Sequence, residues 1–301
     1  MHFMPRVSIG MPVYNGARFL QEALDSILAQ DFTDFELIIS DNASTDDTES
    51  ICRRCAERDG RILYYRNGRN MGAAWNYNRL VAPARGEYFR WAAHDDIWAP
   101  AALRCCVQTL EAGGERVVLA YPKTFLIDEC GSILGPHEDE LDLRHPLPHQ
   151  RLKNAMYHYG LCNPVFGLIR MSALRQTRLF GKYNASDTVL LGELSMLGEF
   201  REVPERLFLR RYHGGMSCLA NQKLSDRAAW FDPANKGKRG HAFFVLRMFV
   251  EHLRAVRALP LDSMTKLKCY SVTGIYWMRR WKDFGGDFKR AVKTLVANDS
   301  V

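Results

Sequence analysis

The sequence predicts an α/β protein whose core is a mostly parallel β-sheet with helices on both faces. Over the first 125 of its 301 residues, short apolar runs typical of buried strands alternate with segments whose apolar residues recur at helical spacing. Some of the apolar runs end in acidic residues, and parallel strands bring such residues together at the carboxyl edge of the sheet. The chain is 47% hydrophobic and 25% charged, as expected for one large globular domain or two smaller ones.

The first half of the chain is predicted to contain five strands and four helices. Residues 6–13 form the first apolar run, and residues 17–30 follow with a helical pattern. Ser44 to Asp47 offer a start for a helix over 48–58, because Ser, Thr and Asp side chains accept hydrogen bonds from the first helical turn. The other strands are predicted at 35–40, 61–66, 88–92 and 117–125, and the other helices at 73–82 and 101–111.

The second half is less regular. Residues 128–150 are acidic and poorly periodic, which predicts a loop over the carboxyl edge of the sheet. We predict an α/β domain over residues 1–225 and a basic helical extension over residues 226–301. The remaining elements are predicted as a returning strand at 163–170, a helix at 188–197, an extended segment at 200–212 and helices at 246–256, 263–281 and 287–296.

The formal net charge of +7 belongs to the C-terminal extension. From Lys236 onward there are 14 Lys and Arg residues against 5 Asp and Glu. One hypothesis is that these helices pack on the α/β domain or on a second copy in a homo-oligomer, and this is the interpretation we favour. The other is that they dock on an anionic membrane surface. Nucleic acid is not an expected partner, because no recognised binding module accompanies the charge.

Composition also indicates the compartment. No apolar run reaches the length of about 18 residues that a membrane-spanning helix needs, and the N-terminus lacks the features of a secretion signal. Eight cysteines are too few for a disulfide scaffold in such a chain, and the pair Cys52 and Cys55 falls in a helical pattern that favours buried thiols over metal binding. We therefore expect a cytoplasmic protein, with a peripheral position at the inner face of the membrane as the alternative.

Acidic residues follow two of the predicted parallel strands. Asp41 follows the second strand, and Asp95 with Asp96 follows the fourth. Together with the Asn15-Gly16 turn after the first strand, they suit a nucleoside diphosphate and the divalent cation that grips it. Each acid also has a purely structural interpretation as the cap of a turn or of the following helix.

The motifs in order resemble family 2 of the inverting nucleotide-sugar glycosyltransferases, which have the GT-A fold. The resemblance covers about residues 5–217, so the 1–225 unit is expected to be the transferase domain. The Gln-x-x-Arg-Trp motif of processive members is absent, which favours transfer of one sugar at a time. The matching pieces are VSIGMPVYNG at 7–16, SILAQ at 26–30, FELIISDNASTD at 35–46, NMG at 70–72 with Asn76 and Asn78, RGEY at 85–88, HDD at 94–96, SD at 186–187 and YH at 212–213.

The resemblance implies a role for each matching residue. Asp187 corresponds to the catalytic base, with Glu193 as the alternative carboxylate. Asp96 corresponds to the ligand of Mn²⁺ or Mg²⁺, and His213 to a histidine that approaches the metal and the diphosphate. The residues implied in donor binding are Pro12, Tyr14, Asp41, Gly72, Asn76 and Asp95, with Asp41 accepting from a uracil ring N–H and Asp95 lying near the ribose.

The expected reaction is a metal-dependent inverting transfer of a sugar to a hydroxyl of a glycan or lipid-linked acceptor, as in cell-surface polysaccharide synthesis. A UDP-sugar is the expected donor, and thymidine and guanosine donors stay open because Asp41 recognises an imide-type N–H. A nucleotidyltransferase is the alternative enzyme, although its Gly-rich phosphate loop is missing after the first strand. A non-catalytic nucleotide-sugar-binding relative is the other alternative.

Overall fold

A computed structural model of the chain describes residues 4–221, 223–236 and 243–287. The predicted helix at 287–296 lies outside these residues, apart from its first position. The strands are β1 (Val7–Val13), β2 (Phe35–Asp41), β3 (Ile62–Arg66), β4 (Tyr88–Trp91), β5 (Ile97–Trp98), β6 (Val117–Ile127), β7 (Ile133–His137), β8 (Leu168–Arg170) and β9 (Glu199–Arg211). The helices are α1 (Ala17–Leu28), α2 (Thr48–Arg58), α3 (Ala73–Arg79), α4 (Ala102–Gly113), α5 (Pro148–His158), α6 (Met171–Leu174), α7 (Ser186–Leu197), α8 (Ser217–Ala220), α9 (Leu224–Phe231), α10 (Phe244–Ala258) and α11 (Ser263–Arg279).

The nine strands of the described residues belong to one sheet, in the order β3-β2-β1-β4-β8-β6-β9-β5, with β7 paired to β6. Strands β1 to β4 are mutually parallel. Beyond them β8 runs antiparallel to both β4 and β6, and β9 runs parallel to β6. The predicted α/β architecture with its parallel first half is therefore confirmed, and the second half of the sheet is mixed.

Helices cover both faces of the sheet. Every residue of β1 and β2 is buried, as expected for strands that are packed on two sides. One apolar cluster joins these strands to α1, α2 and α4, and a second joins the sheet to α5, α6 and α7 on the opposite face. The carboxyl ends of the parallel strands are left for the loops that form the site.

The structure corrects two sequence-based predictions. The predicted loop at 128–150 contains β7 and the first residues of α5. The predicted strand at 163–170 is a 3-10 turn at Asn163–Phe166 followed by the short β8. The turn follows from the local backbone, because Pro164 has no N–H to donate to a sheet and Cys162 has a left-handed φ of 57°.

The C-terminal helices α10 and α11 pack on the α/β domain, as our preferred interpretation of the extension predicts. They bury a third apolar cluster against α5 and α7. Among the described residues, no helix combines the length and hydropathy that a bilayer crossing requires. Residues of the cluster are Leu152, Met156, Val189, Met196, Val245, Met248, Ala255, Val256, Leu259, Cys269, Tyr276 and Trp277.

A buried ion-pair network also connects α7 to α10. The guanidinium of Arg178 donates to Glu193 of α7 and to Glu251 of α10, the latter at 2.9 Å. The Glu193 side chain is 1% exposed and that of Glu251 is 5% exposed. Because Glu193 is out of water, its charge depends on Arg178, whereas Glu251 is also paired with Arg247 and Arg254.

Arg178→Ala should lower the free energy of unfolding by about 3 kcal/mol, because it leaves the buried Glu193 carboxylate without its cation. Urea denaturation measures the effect. As a matched control, Arg53→Ala removes an exposed pair with Glu49, in which the Arg53 side chain is 59% exposed, and should change stability by less than about 1 kcal/mol. Equal effects of the two substitutions would contradict the structural role of the network.

Candidate active site

A cleft of about 500 Å³ opens at the carboxyl edge of the parallel strands. The loop after β1, helix α3, the segment between β4 and β5, and the end of β9 form its walls, and residues within 217–221 and 224–233 cover it. The cleft therefore includes residues beyond position 225, which the sequence had assigned to the C-terminal extension. The sequence-predicted residues that line the cleft are Pro12, Tyr14, Asn76, Asp95, Asp96 and His213.

Asp96 is held where two strands meet at the cleft. It directly precedes β5, which pairs with the end of β9. The backbone N–H of Arg211 donates to Asp96 Oδ1 at 2.9 Å, and the Asp96 residue is only 5% exposed. Pairing between β5 and β9 therefore fixes this carboxylate at the edge of the cleft.

Asp95 is paired with the predicted histidine. His213 Nε2 lies 2.9 Å from Asp95 Oδ2, and His213 Nδ1 accepts from the Gly215 N–H at 3.2 Å. These two contacts suit the tautomer in which Nε2 carries the proton and donates to Asp95. The Phe19 ring packs against the imidazole in an edge-to-face arrangement, with 4.7 Å between ring centroids. The structure thus brings His213 to the acid pair, with Asp95 as its direct partner.

The two neighbouring carboxylates have opposite pKa shifts. Burial and the negative charge of Asp95 raise the pKa of Asp96 to about 8. Burial alone would raise the pKa of Asp95 as well, but His94 and His213 outweigh it and lower that pKa. Asp96 is thus a buried carboxylate whose negative charge is poorly compensated.

The donor set at Asp96 fits a small divalent cation. Within the described part of the chain, a single hydrogen bond reaches the Asp96 carboxylate, and it leaves Oδ2 available. No group of three His, Cys, Asp or Glu side chains with the geometry of a metal site occurs among the described residues. Magnesium-type ions are often held by one or two carboxylates together with substrate phosphates, which is what Asp95 and Asp96 could provide.

Asp187 lies at the start of α7, as predicted. Ala185 has a left-handed φ of 59°, and the Thr188 N–H donates to Asp187 Oδ1 at 3.0 Å. Burial raises the pKa of Asp187. Asp187 does not itself line the cleft. Tyr77 does line it, and the charges of Asp95, Asp96 and Asp187 all act to raise the pKa of the Tyr77 hydroxyl. Asp95 and Asp96 therefore line the cleft directly, and Asp187 is within electrostatic reach of Tyr77 in its wall.

Glu193, the alternative base, is not available for catalysis. Both of its carboxylate oxygens accept hydrogen bonds from Arg178, and the residue is 1% exposed. It does not line the cleft. The structure corrects this alternative, because Glu193 serves the buried ion-pair network described above.

Asp41 lies behind the wall of the cleft rather than in it. The residue is fully buried, Oδ1 accepts from the Ser44 N–H at 2.8 Å, and Oδ2 accepts from the Tyr64 hydroxyl at 2.8 Å. The next residue, Asn42, does line the cleft. A nucleotide base could reach Asp41 only after Ser44 or Tyr64 moved.

Asparagines form the wall between Asp41 and α3. Asn76 is 2% exposed, and its amide is held by the carbonyl and the hydroxyl of Ser40. Asn42 bonds the side chains of Asn67 and Asn70 and the backbone N–H of Met71. The amide groups of this wall therefore largely satisfy one another.

Gly72 fixes the cover of the cleft against α3. Its φ is +84°, and a Cβ at this position would come within 2.6 Å of the Phe231 carbonyl oxygen and of Pro233 Cδ. Glycine is required both for that backbone conformation and for the close approach. Gly72 thus shapes the cleft without lining it.

Two arginines at the end of β9 were missed in the sequence. Arg210 and Arg211 both line the cleft. Their signal was the run of basic residues before Tyr212 and His213 at the end of a predicted extended segment. Alternation along a strand points two successive side chains in opposite directions, so the sequence alone did not show that both reach the site.

Sequence comparison identifies one matching protein family and several similar proteins. The sequence pattern of Glycosyl transferase family 2 matches residues 8–177. A Haemophilus influenzae protein named as an uncharacterized glycosyltransferase is 28% identical over 266 residues, which cover 87% of this chain and 80% of that protein. A Campylobacter jejuni protein named GalNAc(5)-diNAcBac-PP-undecaprenol beta-1,3-glucosyltransferase is 35% identical over 38% of this chain and 37% of its own length. Matches to relatives from Rickettsia typhi and Rickettsia felis span 39% and 22% of those proteins.

Solved structures share the fold. S. aureus TarS 1-349 in complex with UDP-GlcNAc superposes with a TM-score of 0.59 at 17% identity, covering 98% of this chain and 92% of that one. The mannosyltransferase PcManGT from Pyrobaculum calidifontis, in complex with GDP-Man and Mn2+, gives a TM-score of 0.54 at 17% identity, covering 98% and 76%. The predicted GT-A architecture is confirmed by these likenesses.

Asp96→Asn should stabilise the metal-free protein at pH 8 by on the order of 1–3 kcal/mol, because it removes a buried, uncompensated charge. In the folded state the pKa of Asp96 is raised from 3.8 to about 8. The protonated Asp96 side chain therefore makes its full contribution to stability below about pH 4, and this contribution is lost as the pH rises toward 8. Thermal unfolding at pH 5.5 and pH 8 measures this. A gain from the substitution that is as large at pH 5.5 as at pH 8 would contradict the raised pKa.

Proposed function

The chain belongs to Glycosyl transferase family 2, and from this premise we propose that it is a metal-dependent inverting enzyme that transfers one sugar from a nucleotide sugar to an acceptor hydroxyl. The observation that carries the proposal is that Asp95 and Asp96 line the cleft, while Asp187 at the start of α7 acts together with them on Tyr77 of its wall. A cleft of about 500 Å³ is in the range that holds a small-molecule ligand of this kind.

A UDP-sugar is the donor we propose. The likeness to TarS, which binds UDP-GlcNAc, supports it, and the likeness to a mannosyltransferase with GDP-Man keeps a guanosine donor as the alternative. Pro12 and Tyr14 line the part of the cleft that would take the base and ribose, and the Tyr14 side chain is available for stacking because it is 44% exposed. Recognition of a ring N–H by Asp41 would follow a movement of Tyr64 that opens this pocket.

The leaving group is a nucleoside diphosphate, whose bridging oxygen gains negative charge as the anomeric bond breaks. Asp96, with Asp95 beside it, would hold Mn²⁺ or Mg²⁺ against the two phosphates. Such a cation acts as a Lewis acid that stabilises the departing charge. In this arrangement His213 keeps Asp95 oriented through the 2.9 Å contact to its carboxylate.

Asp187 is the proposed general base. A hydroxyl is a poor nucleophile, so a carboxylate must take its proton as the oxygen attacks the anomeric carbon. Burial raises the pKa of Asp187, which makes it a stronger base once it is deprotonated. Attack from the face opposite the diphosphate inverts the anomeric centre in a single displacement.

A lipid-linked glycan is the proposed acceptor, in a pathway that builds cell-surface polysaccharide. The name of the Campylobacter jejuni relative includes an undecaprenol-linked glycan, which supports this class of acceptor. The structure adds a surface suited to a membrane. Apolar side chains are 46–67% exposed along the outer face of α11 and just beyond its end, at Met264, Leu267, Ile275, Met278 and Trp281.

Basic residues border this apolar row. Lys268, Arg279 and Lys282 are exposed beside it. An amphipathic helix with an apolar face and basic flanks suits the surface of an anionic bilayer. We therefore include peripheral membrane contact through α11 in the proposal, with its opposite face packed on α5.

Purified protein mixed with Mn²⁺, a lipid-linked glycan acceptor and a panel of UDP-sugars should release UDP. Asp187→Asn should keep donor binding and slow transfer by roughly 10²–10⁴-fold, the usual contribution of general-base catalysis. UDP release measures transfer, and titration calorimetry measures binding. Glu205→Gln, an exposed carboxylate on the strand β9, is the control and should behave as wild type. Release of pyrophosphate would indicate a nucleotidyltransferase, and an unchanged rate for Asp187→Asn would exclude it as the base.

The protein should float with anionic vesicles and not with neutral ones, and the bound fraction should fall as salt screens the basic residues. Replacing both Leu267 and Met278 with Glu should weaken binding by at least about tenfold, because each buried side chain of this size contributes about 1.5–3 kcal/mol. The control replaces Ile133 and Leu134 of β7, which are each 60% exposed, and should leave flotation unchanged. Failure of the wild type to float would remove membrane contact from the proposal.

A further inference from the structure

Arg210 occupies a distinctive place in the cleft. It is half-buried, lines the cleft and lies at the end of β9, next to Arg211. Its positive charge acts to lower the pKa of both Asp96 and Asp187. Arg210 is therefore within electrostatic reach of both the carboxylate proposed to hold the metal and the carboxylate proposed as the base.

A buried chain of polar groups fixes the position of this guanidinium. Nη1 of Arg210 donates to the Leu161 carbonyl at 2.9 Å and to Asn163 Oδ1. The Asn163 amide nitrogen donates to Asp139 Oδ2 at 3.0 Å, with Thr124 Oγ1 at 3.3 Å. Because Asp139 accepts from that nitrogen, the amide oxygen of Asn163 must face Arg210. Asn163 and Asp139 are 3% and 6% exposed, so solvent does not compete for these contacts.

The other donors of Arg210 are available to a ligand. Among the described residues, Nε and Nη2 have no hydrogen-bond partner, and neither is a buried atom. The guanidinium thus presents two nitrogen atoms in the planar fork that matches a phosphate group. Asp96 and Asp187 are within electrostatic reach of the Arg210 guanidinium but form no hydrogen bond with it, so Nε and Nη2 stay available to a ligand.

We infer that Arg210 binds the β-phosphate of the donor, which is the phosphate attached to the sugar, and that Asn163 and Asp139 position it for this contact. The inference rests on the proposed transferase function and names a further catalytic residue for it. With the β-phosphate on Arg210, the sugar would extend toward Asp187 and the nucleoside toward Pro12 and Tyr14.

The reaction gives this contact a defined role. The acceptor oxygen forms a bond to the anomeric carbon and loses its proton to Asp187. The bond from that carbon to the β-phosphate oxygen breaks, and its electron pair stays on the phosphate. Since the added negative charge appears on the group that Arg210 contacts, the hydrogen bonds strengthen as the sugar leaves.

Affinities for UDP and UMP in the presence of Mn²⁺ test the inference, because only UDP carries the β-phosphate. In Arg210→Gln, UDP affinity should fall about 10- to 100-fold, as for the loss of hydrogen bonds to a charged group, and UMP affinity should stay within about twofold. Arg210→Lys should lie between the two, because it keeps the charge and loses the fork. Asn163→Ala should lower UDP affinity by a smaller factor and again leave UMP affinity nearly unchanged, because Asn163 positions Arg210 and does not itself contact the phosphate.

The control is Arg206→Gln on the same strand. Arg206 also donates to two carbonyl oxygens, those of Thr124 and His137 at 3.0 Å each, but does not line the cleft. Its UDP and UMP affinities should match the wild type. If Arg210→Gln bound UDP normally, or lost equal affinity for UDP and UMP, the inferred role of Arg210 would be overturned and the proposed function would stand. If the wild-type protein did not bind UDP, both the UDP-donor proposal and the inferred role of Arg210 would be overturned.

Discussion

The site depends on the attachment of the end of β9 to the acidic turn before β5. Arg211 makes this attachment with both its backbone and its side chain. Its N–H donates to Asp96 Oδ1, and its Nε donates to the Asp95 carbonyl, each at 2.9 Å. The rest of the guanidinium bonds the carbonyls of Asp128 and Glu129 and the carboxylate of Glu22. One buried side chain thus joins the acid pair to α1 and to the turn before β7.

The balance of charge in the cleft follows from this attachment. Asp95 and Asp96 are neighbouring carboxylates in a partly desolvated space, where the negative charge of Asp95 raises the pKa of Asp96. Arg210 and Arg211 at the end of β9 offset only part of the rise at Asp96, and Arg210 offsets only part of the effect of burial on Asp187, since both pKa values stay raised. A site with residual negative charge and fixed arginine donors suits a ligand made of a divalent cation and a diphosphate together. Affinity for either part alone should be weaker than for the pair.

The C-terminal helices have two different faces with different physical consequences. The inner face completes the core beside α5 and α7, and the Arg178 network joins α7 to α10. Asp187 is at the start of α7, so the helix that presents the proposed base is also the one that the extension stabilises. The outer face of α11 keeps its apolar side chains in solvent and is the part available to a membrane.

The sequence by itself determined the alternation of strands and helices, the acidic turn at Asp95 and Asp96, and the position of Asp187 at a helix start. These are local features, because hydrophobic periodicity and capping residues act over a few neighbouring positions. Only the tertiary structure showed that Tyr64 covers Asp41, that His213 pairs with Asp95 and that Asn163 directs Arg210. His213 and Asp95 are 118 positions apart in the chain, and Arg210 and Asn163 are 47 apart. Contacts at such distances depend on strand order and side-chain direction, which no short pattern of residues encodes.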